Sequence, residues 1–458
     1  MPSRIPYKLI VFLSAFLLLL LGGQGLATAV TPVQISSGYH QGRPDVSGSL
    51  VTWKRYLPSP SDYEIYVNNL TNLSNPGEVD ITNNETGNQI NPVTNGSDII
   101  WEDWSTGNGN LYMNHLGVNQ PLVTGPGDKG ILAVSGNTAA YVYNPDSSST
   151  SITDPGNQVY YINISGGLAQ PVSPTAAAQW SPRISGSKVV WMDYRNGNWD
   201  IFEKDLNGGL EQQLTTNPGD DEFPDISGNI VVWRAYENGE WNLHWMNLTD
   251  GVDHLLTNNA AYKLSARISG SLVVWMDGSN DPDPASPSAY DIFMEDLNTG
   301  ITSTLAPRST NPAYPAVANG EVVWEDDPSG SWAGYDIMAA AVPTAKLSLQ
   351  LVSQTAFWGS YQDYQNGLLS VRYTIAAPPD AAVAYGTRIL ASPATFGVML
   401  SSPTPVAVGD IQPGGQSSVT VKYQVPVGVS AFRTTIYASA RDAIGDTAYF
   451  PAAPPPGD

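Results

Sequence analysis

Apolar positions in this chain come in short runs closed by Gly, Asn or Ser turns, and the runs recur from about residue 31 to residue 342. Residues 182–215, PRISGSKVVWMDYRNGNWDIFEKDLNGGLEQQLT, show the pattern most plainly. A first short strand ends in a Ser-Gly-Ser turn, where Gly186 supplies the positive φ of a tight hairpin. Val189, Val190 and Trp191 follow as an unbroken apolar run, which predicts a strand covered on both faces. A polar loop over residues 193–198 leads to Ile201 and Phe202 in a third strand, and Leu214 and Thr215 end a fourth. One such sheet cannot bury both of its faces, so neighbouring copies must cover it.

There are seven copies. The second-strand aromatic returns as Trp53, Trp101, Tyr141, Trp191, Trp233, Trp275 and Trp324. Nine residues before it stands Pro44, Pro92, Leu132, Pro182, Pro224, Ala266 or Pro315. Four strands in roughly 40–45 residues is the size of a propeller blade. The seventh copy runs into Val342 and Pro343 without a fourth strand, whereas residues 32–36 have the fourth-strand pattern and precede the first copy. The expectation is a ring closed by the N-terminal strand, which removes the free sheet edges of an open array.

The unit PRISGSKVVWMDYRNGNWDIFEKDL…QQLTTN resembles the TolB-type propeller repeat of secreted and surface proteins, with Ser-Gly where that family usually has Pro-Asp-Gly. The resemblance covers about residues 31–342. It implies an all-β fold with a seven-bladed β-propeller over residues 30–342. In that geometry the connections from second to third strand share one rim with the blade-to-blade connections.

Residues 343–451 change pattern. Apolar segments at 347–352, 369–375, 396–400, 419–425 and 432–438, with a Pro-Gly-Gly turn at 413–415, predict an immunoglobulin-like β-sandwich. Residues 452–458 are a Pro-rich tail expected to be disordered. At the other end, Arg4 and Lys8 precede an apolar run from residue 9 to residue 21 and an Ala27-Thr28-Ala29 site. This reads as a secretory signal peptide over residues 1–29, since the run is shorter than the ~20 residues that span a bilayer. No later segment reads as transmembrane. The expected location is therefore secreted, extracellular or cell envelope (periplasm in a two-membrane host). There is no Cys, hence no disulfide and no thiolate metal site.

Charge narrows the partners. The formal net charge is −22, and residues 30–342 hold 36 acidic against 12 basic side chains. Nucleic acid and anionic lipid are disfavoured, which leaves an extracellular protein or glycan.

Carboxylates recur after the second strand (Asp193, Asp277, Asp326, with Glu102-Asp103 in the second repeat) and before the third (Glu64, Asp200, Asp291, Asp336). Aromatics precede the third strand at Tyr63, Trp199, Trp241, Tyr290 and Tyr335. Asp193, Trp199, Asp200, Tyr290, Asp291, Asp326 and Asp336 are the candidate ligand-binding residues. The alternative is that the carboxylates accept loop amides and the rings pack between blades. Asp277, Asp281 and Asp283 crowd one loop and are a candidate calcium site, because calcium takes hard oxygen ligands. No catalytic residue is assigned: there is no G-x-S-x-G, H-E-x-x-H or P-loop.

The span from the aromatic to the third-strand marker is 12, 10, 18, 10, 10, 17 and 13 residues, so extra length collects on one rim. Insertions confined to one face mark the binding face of many repeat proteins. The expected function is a secreted or cell-surface binding or scaffold protein. The alternative is a glycan-active hydrolase or lyase with its site at the channel.

Overall fold

The computed structural model describes residues 32–450 except 37, 39, 60, 73–76, 84–85, 148–150, 286, 328–333, 343–345, 379–380 and 443–446. The expected signal peptide and tail lie outside the described residues. The chain divides into two compact units, one built from residues 30–296 and 301–344, the other carrying the described residues from 346 onward.

The first unit consists of seven four-stranded antiparallel sheets and is a β-propeller. Sheet four is representative, with strands Gln179–Ser185, Lys188–Asp193, Asp200–Asp205 and Gln212–Gln213. Sheets one to six use four consecutive strands each. Sheet seven uses Ala313–Ala318, Glu321–Asp326 and Asp336–Ala341, and its fourth strand is Val33–Gln34, where Val33 pairs with Ala339 and Gln34 with Met338. Ile35 extends this seam: its N–H donates to Ile337 O at 2.8 Å, and its own carbonyl accepts Asn68 Nδ2 of sheet one at 2.9 Å.

The second strands are covered on both faces, as expected. Trp53, Trp101, Trp191, Trp233, Trp275 and Trp324 are at most 1% exposed. Most of them stack on a third-strand ring of their own sheet, as Trp191 does on Phe202 at 6.1 Å and Trp275 on Phe293 at 6.0 Å. The cores lie between sheets. Val190, Met192 and Ile201 of sheet four pack with Ile226, Val231 and Trp233 of sheet five. Val46, Val51 and Trp53 of sheet one pack with Val323, Ile337 and Ala339 of sheet seven.

The Ser-Gly turn has a second task. Ser135, Ser185 and Ser227 each accept, at 2.9 Å, the N–H of the turn glycine of the following sheet (Gly186, Gly228 and Gly270). Ser269 does the same for Asn319 at 2.8 Å. The serine is thus a sheet-to-sheet staple.

The first strands start earlier than the sequence suggested. Sheet four opens at Gln179, three residues before Pro182, and the register with the second strand slips between Trp180 and Arg183. The slip is a β-bulge, and it recurs at the same place in all seven sheets. The residue at its apex is Arg43, Asn91, Ile131, Ser181, Phe223, Ser265 or Tyr314, with φ between 47 and 54°. A non-glycine residue there costs roughly 1–2 kcal/mol. The proline that follows in five copies has no N–H to lose where the ladder is broken.

The second unit holds two four-stranded sheets. One is Gln350–Trp358, Leu368–Ala376, Gln416–Gln424 and Met399–Leu400; the other is Val406–Ile411, Ala384–Pro393, Thr434–Arg441 and Thr447–Phe450. They share a core in which the buried Tyr373 and Tyr423 hydroxyls meet at 2.8 Å. Ala384–Pro393 and Val406–Ile411 were not expected, because Gly and Pro interrupt one and half of the other is exposed. The short helix Tyr361–Asn366 was also missed, although Ser360 caps it by accepting Asp363 N–H at 3.0 Å.

Removing residues 33–36 should leave the Asp336–Ala341 strand with an open edge. The expected outcome is a lower Tm and concentration-dependent aggregation, measured by scanning fluorimetry and light scattering.

Candidate functional site

The repeating carboxylates serve the sheets. Asp193, Asp277 and Asp326 each accept the indole N–H of the buried Trp two residues earlier, at 3.2, 2.9 and 3.0 Å. Asp193 and Asp277 also accept a loop N–H, from Arg195 at 3.0 Å and Ser279 at 2.8 Å. Asp200, Asp291 and Asp336 stand directly opposite them across the ladder. Asp200 accepts Asn196 and Gln213, Asp291 accepts Asn280, and Asp336 accepts Gln34 and Gln41. Five candidate ligand-binding residues, and the calcium candidate Asp277, are thus engaged in holding loops and indoles.

Trp199 is 3% exposed and packs in the core between sheets four and five, which withdraws it from any platform. Tyr63, Trp241, Tyr290 and Tyr335 are partly exposed.

The calcium candidates do not converge. Asp277 is occupied as described, Asp281 accepts Asp283 N–H at 2.9 Å and Ser288 Oγ at 3.0 Å, and Asp283 is exposed. Among the described residues no group of three or more His, Cys, Asp or Glu side chains is placed to hold a metal ion.

What the structure does bring together lies on the channel wall. Neighbouring first strands touch in order around the ring, the seventh meeting the first, so they enclose the channel. The bulge breaks the ladder at its apex and leaves the apex backbone N–H for a side chain of the preceding sheet. Glu325 accepts Arg43 N–H at 3.1 Å, and Glu102 accepts Ile131 N–H at 2.8 Å. Each of these glutamates follows its sheet's Trp, and each lies against a glycine of the next sheet, Gly42 or Gly130. A Cβ on Gly130 would stand 3.0 Å from the Glu102 carboxylate, and one on Gly42 would collide with that of Glu325. Burial raises both carboxyls above the usual glutamate range, Glu325 to about 7.

Lys54 occupies the same place in sheet one, its ammonium 4.5 Å from the centre of the Tyr63 ring. The Arg43 guanidinium lies 3.7 Å over Tyr314. In sheet five Arg234 donates to Glu222 Oε2 at 3.0 Å and to the Tyr262 hydroxyl at 3.1 Å, and stacks on Trp241 at 4.3 Å. His40 stacks on Tyr335 at 5.0 Å.

A second tier sits two residues beyond the bulge apex. Arg267 of sheet six donates to Asp225 of sheet five at 3.1 Å and reaches Asp45 of sheet one at 3.5 Å. Arg183 of sheet four stands 3.7 Å from Asp225. Asp45 also accepts Thr94 N–H at 2.9 Å, and Asp225 accepts Ile268 N–H at 2.9 Å. The Arg267–Asp45 contact skips sheet seven, which has Ala316 at this position, so four charges link separate sheets across the channel.

Of the charges in these two tiers, only Glu102 was singled out from the sequence, as a carboxylate after the second strand. The signal was there: the position after the first-strand proline site is charged in four copies, and the position after the second-strand aromatic is charged in four. On strands that line an axis, such off-pattern charges face one another.

No family model and no curated protein matches the sequence. Solved structures do. An oligogalacturonate lyase from Vibrio parahaemolyticus aligns at 11% identity and a TM-score of 0.52, over 69% of this chain and 94% of its own. An oligogalacturonate lyase in complex with manganese aligns at 12% and 0.51, over 69% and 96%. A protein described as putative TolB from Agrobacterium tumefaciens aligns at 15% and 0.37, over 49% and 87%. The likeness to the two lyases is one of fold.

Two measurements check this site. Arg267→Met leaves Asp45 and Asp225 short of a partly buried cation, and a loss of about 1–3 kcal/mol in urea unfolding is expected. Glu325 and Asp221 are both raised to about 7 by burial, so between the unfolded values near 4 and pH 7 the folded chain binds more protons. Stability should therefore fall as pH rises from 5 to 7.5. Substituting Glu325→Gln together with Asp221→Asn should flatten that slope in Tm measured against pH.

Proposed function

We propose that this chain is a secreted or cell-surface binding protein: a seven-bladed propeller, closed by its N-terminal strand, followed by an immunoglobulin-like module that acts as spacer or second contact. The ligand, an extracellular glycan or protein, docks on the rim that carries the second-to-third-strand connections. The carrying observation is the pair of cations stacked on partly exposed rings at the channel wall, the exposed Arg43 on Tyr314 and the buried Arg234 on Trp241. Partly exposed aromatics beside fixed polar groups are the ordinary make-up of a ligand site. The long connections at residues 143–158 and 277–291 belong to the same rim as the ends of the second strands.

A second reading, a glycan-active hydrolase or lyase, is favoured by one observation. Glu325 is a carboxyl held near neutrality beside the channel, which suits a general acid. Turnover of a glycan that is lost in Glu325→Gln would establish it.

The test of the leading reading is a glycan and peptide array. Binding is expected with the wild-type protein. It should be lost when both long connections are cut to the length of residues 193–200, with Tm unchanged. Retained binding after shortening would remove the rim from the proposal.

A further inference from the structure

Most basic side chains of the propeller already have partners. Arg55 pairs with Glu78, Arg195 with Asp193 and Glu211, Arg234 with Glu222, and Arg183 and Arg267 with Asp225. Lys129 and Lys263 are buried with their ammonium groups among backbone carbonyls, such as Gly127 O at 2.9 Å and Ala261 O at 2.7 Å. Carboxylates outnumber cations threefold in residues 30–342, so pairing is the natural outcome.

Arg43 and Lys54 depart from it. Among the described residues neither head group has a carboxylate within 4.0 Å or a hydrogen-bond acceptor. Each is stacked on a tyrosine instead. The two belong to the same strand pair, since Lys54 is the ladder partner of Gly42. Arg43 is exposed, Lys54 is half-buried, and burial and then the charge of Arg43 lower the Lys54 pKa. The nearest carboxyls, Glu325 and Glu102, offset part of the Lys54 shift but form no ion pair with either head group, being turned to the backbone N–H groups of Arg43 and Ile131. Arg43 holds a left-handed φ of 54°, as the bulge apex does in every sheet.

We infer that Arg43 and Lys54 form a carboxylate-binding subsite for an acidic saccharide, with the rings of Tyr314 and Tyr63 beside it. This rests on the proposed rim-binding function and names its ligand class. An unpaired guanidinium offers a bidentate fork to a carboxylate, and the ammonium adds a point charge next to it. Partly exposed tyrosines at the same wall give faces for a pyranose ring and hydroxyls for its oxygens. The acidic propeller opposes polyanions at long range. A saccharide with one carboxylate per sugar spreads its charge more thinly than a nucleic-acid duplex does.

The test is calorimetric titration of the full chain with tri- to hexasaccharides of galacturonate and glucuronate. The comparison probes are the same sugars with carboxyls reduced to alcohols, and hexaglutamate. The variants are Arg43→Asn, since Asn tolerates the left-handed φ, and Lys54→Met, which keeps the stem over Tyr63. A uronate series should bind, its reduced counterpart should bind at least about tenfold more weakly, and each variant should lose about ten- to hundredfold for the uronate alone. Equal affinity for charged and reduced sugars, or variants that bind uronate as wild type does, would overturn the inference and leave glycan binding at the rim standing. Hexaglutamate binding as tightly as the uronates would also overturn it, in favour of an acidic peptide. If no saccharide binds while the array finds a protein ligand, the inference falls and the rim reading survives. If neither finds a ligand, both fall.

Discussion

A sheet whose middle strand is apolar on both faces has no stable existence alone. Val189, Val190 and Trp191 are completely buried, yet only part of that burial comes from their own sheet. The rest comes from the sheets on either side, so each sheet depends on two others and the dependence must return to its start. Everything else in the propeller follows from closing that loop: the borrowed strand Val33–Gln34, the serine staples, and the convergence of seven first strands on one axis.

Convergence sets the chemistry. Side chains at equivalent positions face one another only around the axis, and there the repeat is least faithful. The residue after the second-strand aromatic is Lys54, Glu102, Val142, Met192, Arg234, Met276 or Glu325. At the rim the repeat is kept, with aspartates tied to indoles and loop amides. A feature present in many copies therefore reports on how a sheet is held together. A feature present in one or two reports on what the ring can do.

The fold was legible because its signals are local and repeated: the turn glycine, the apolar triplet and the fixed spacing to Trp. The displaced strand at residues 33–34 was legible by counting. The bulge was not, since Arg, Asn, Ile, Ser, Phe and Tyr all occupy its apex and share no propensity for a left-handed φ. The candidate site was only half legible. Composition marked carboxylates and rings, but which of them point inward depends on a register slip that no single copy announces. Trp199 shows the limit: its position matches that of Trp241, yet it is buried while Trp241 is partly exposed.

The borrowed strand also decides how the propeller answers to tension. Val33–Gln34 runs antiparallel to Asp336–Ala341, so the chain enters and leaves the propeller side by side at the same end of that sheet. A pull on both ends peels the two strands apart one backbone bond at a time; it does not load all the bonds together in shear. Stretching a protein anchored on one side and engaged on the other would therefore open this seam at low force, before any of the six sheets built from consecutive strands is disturbed.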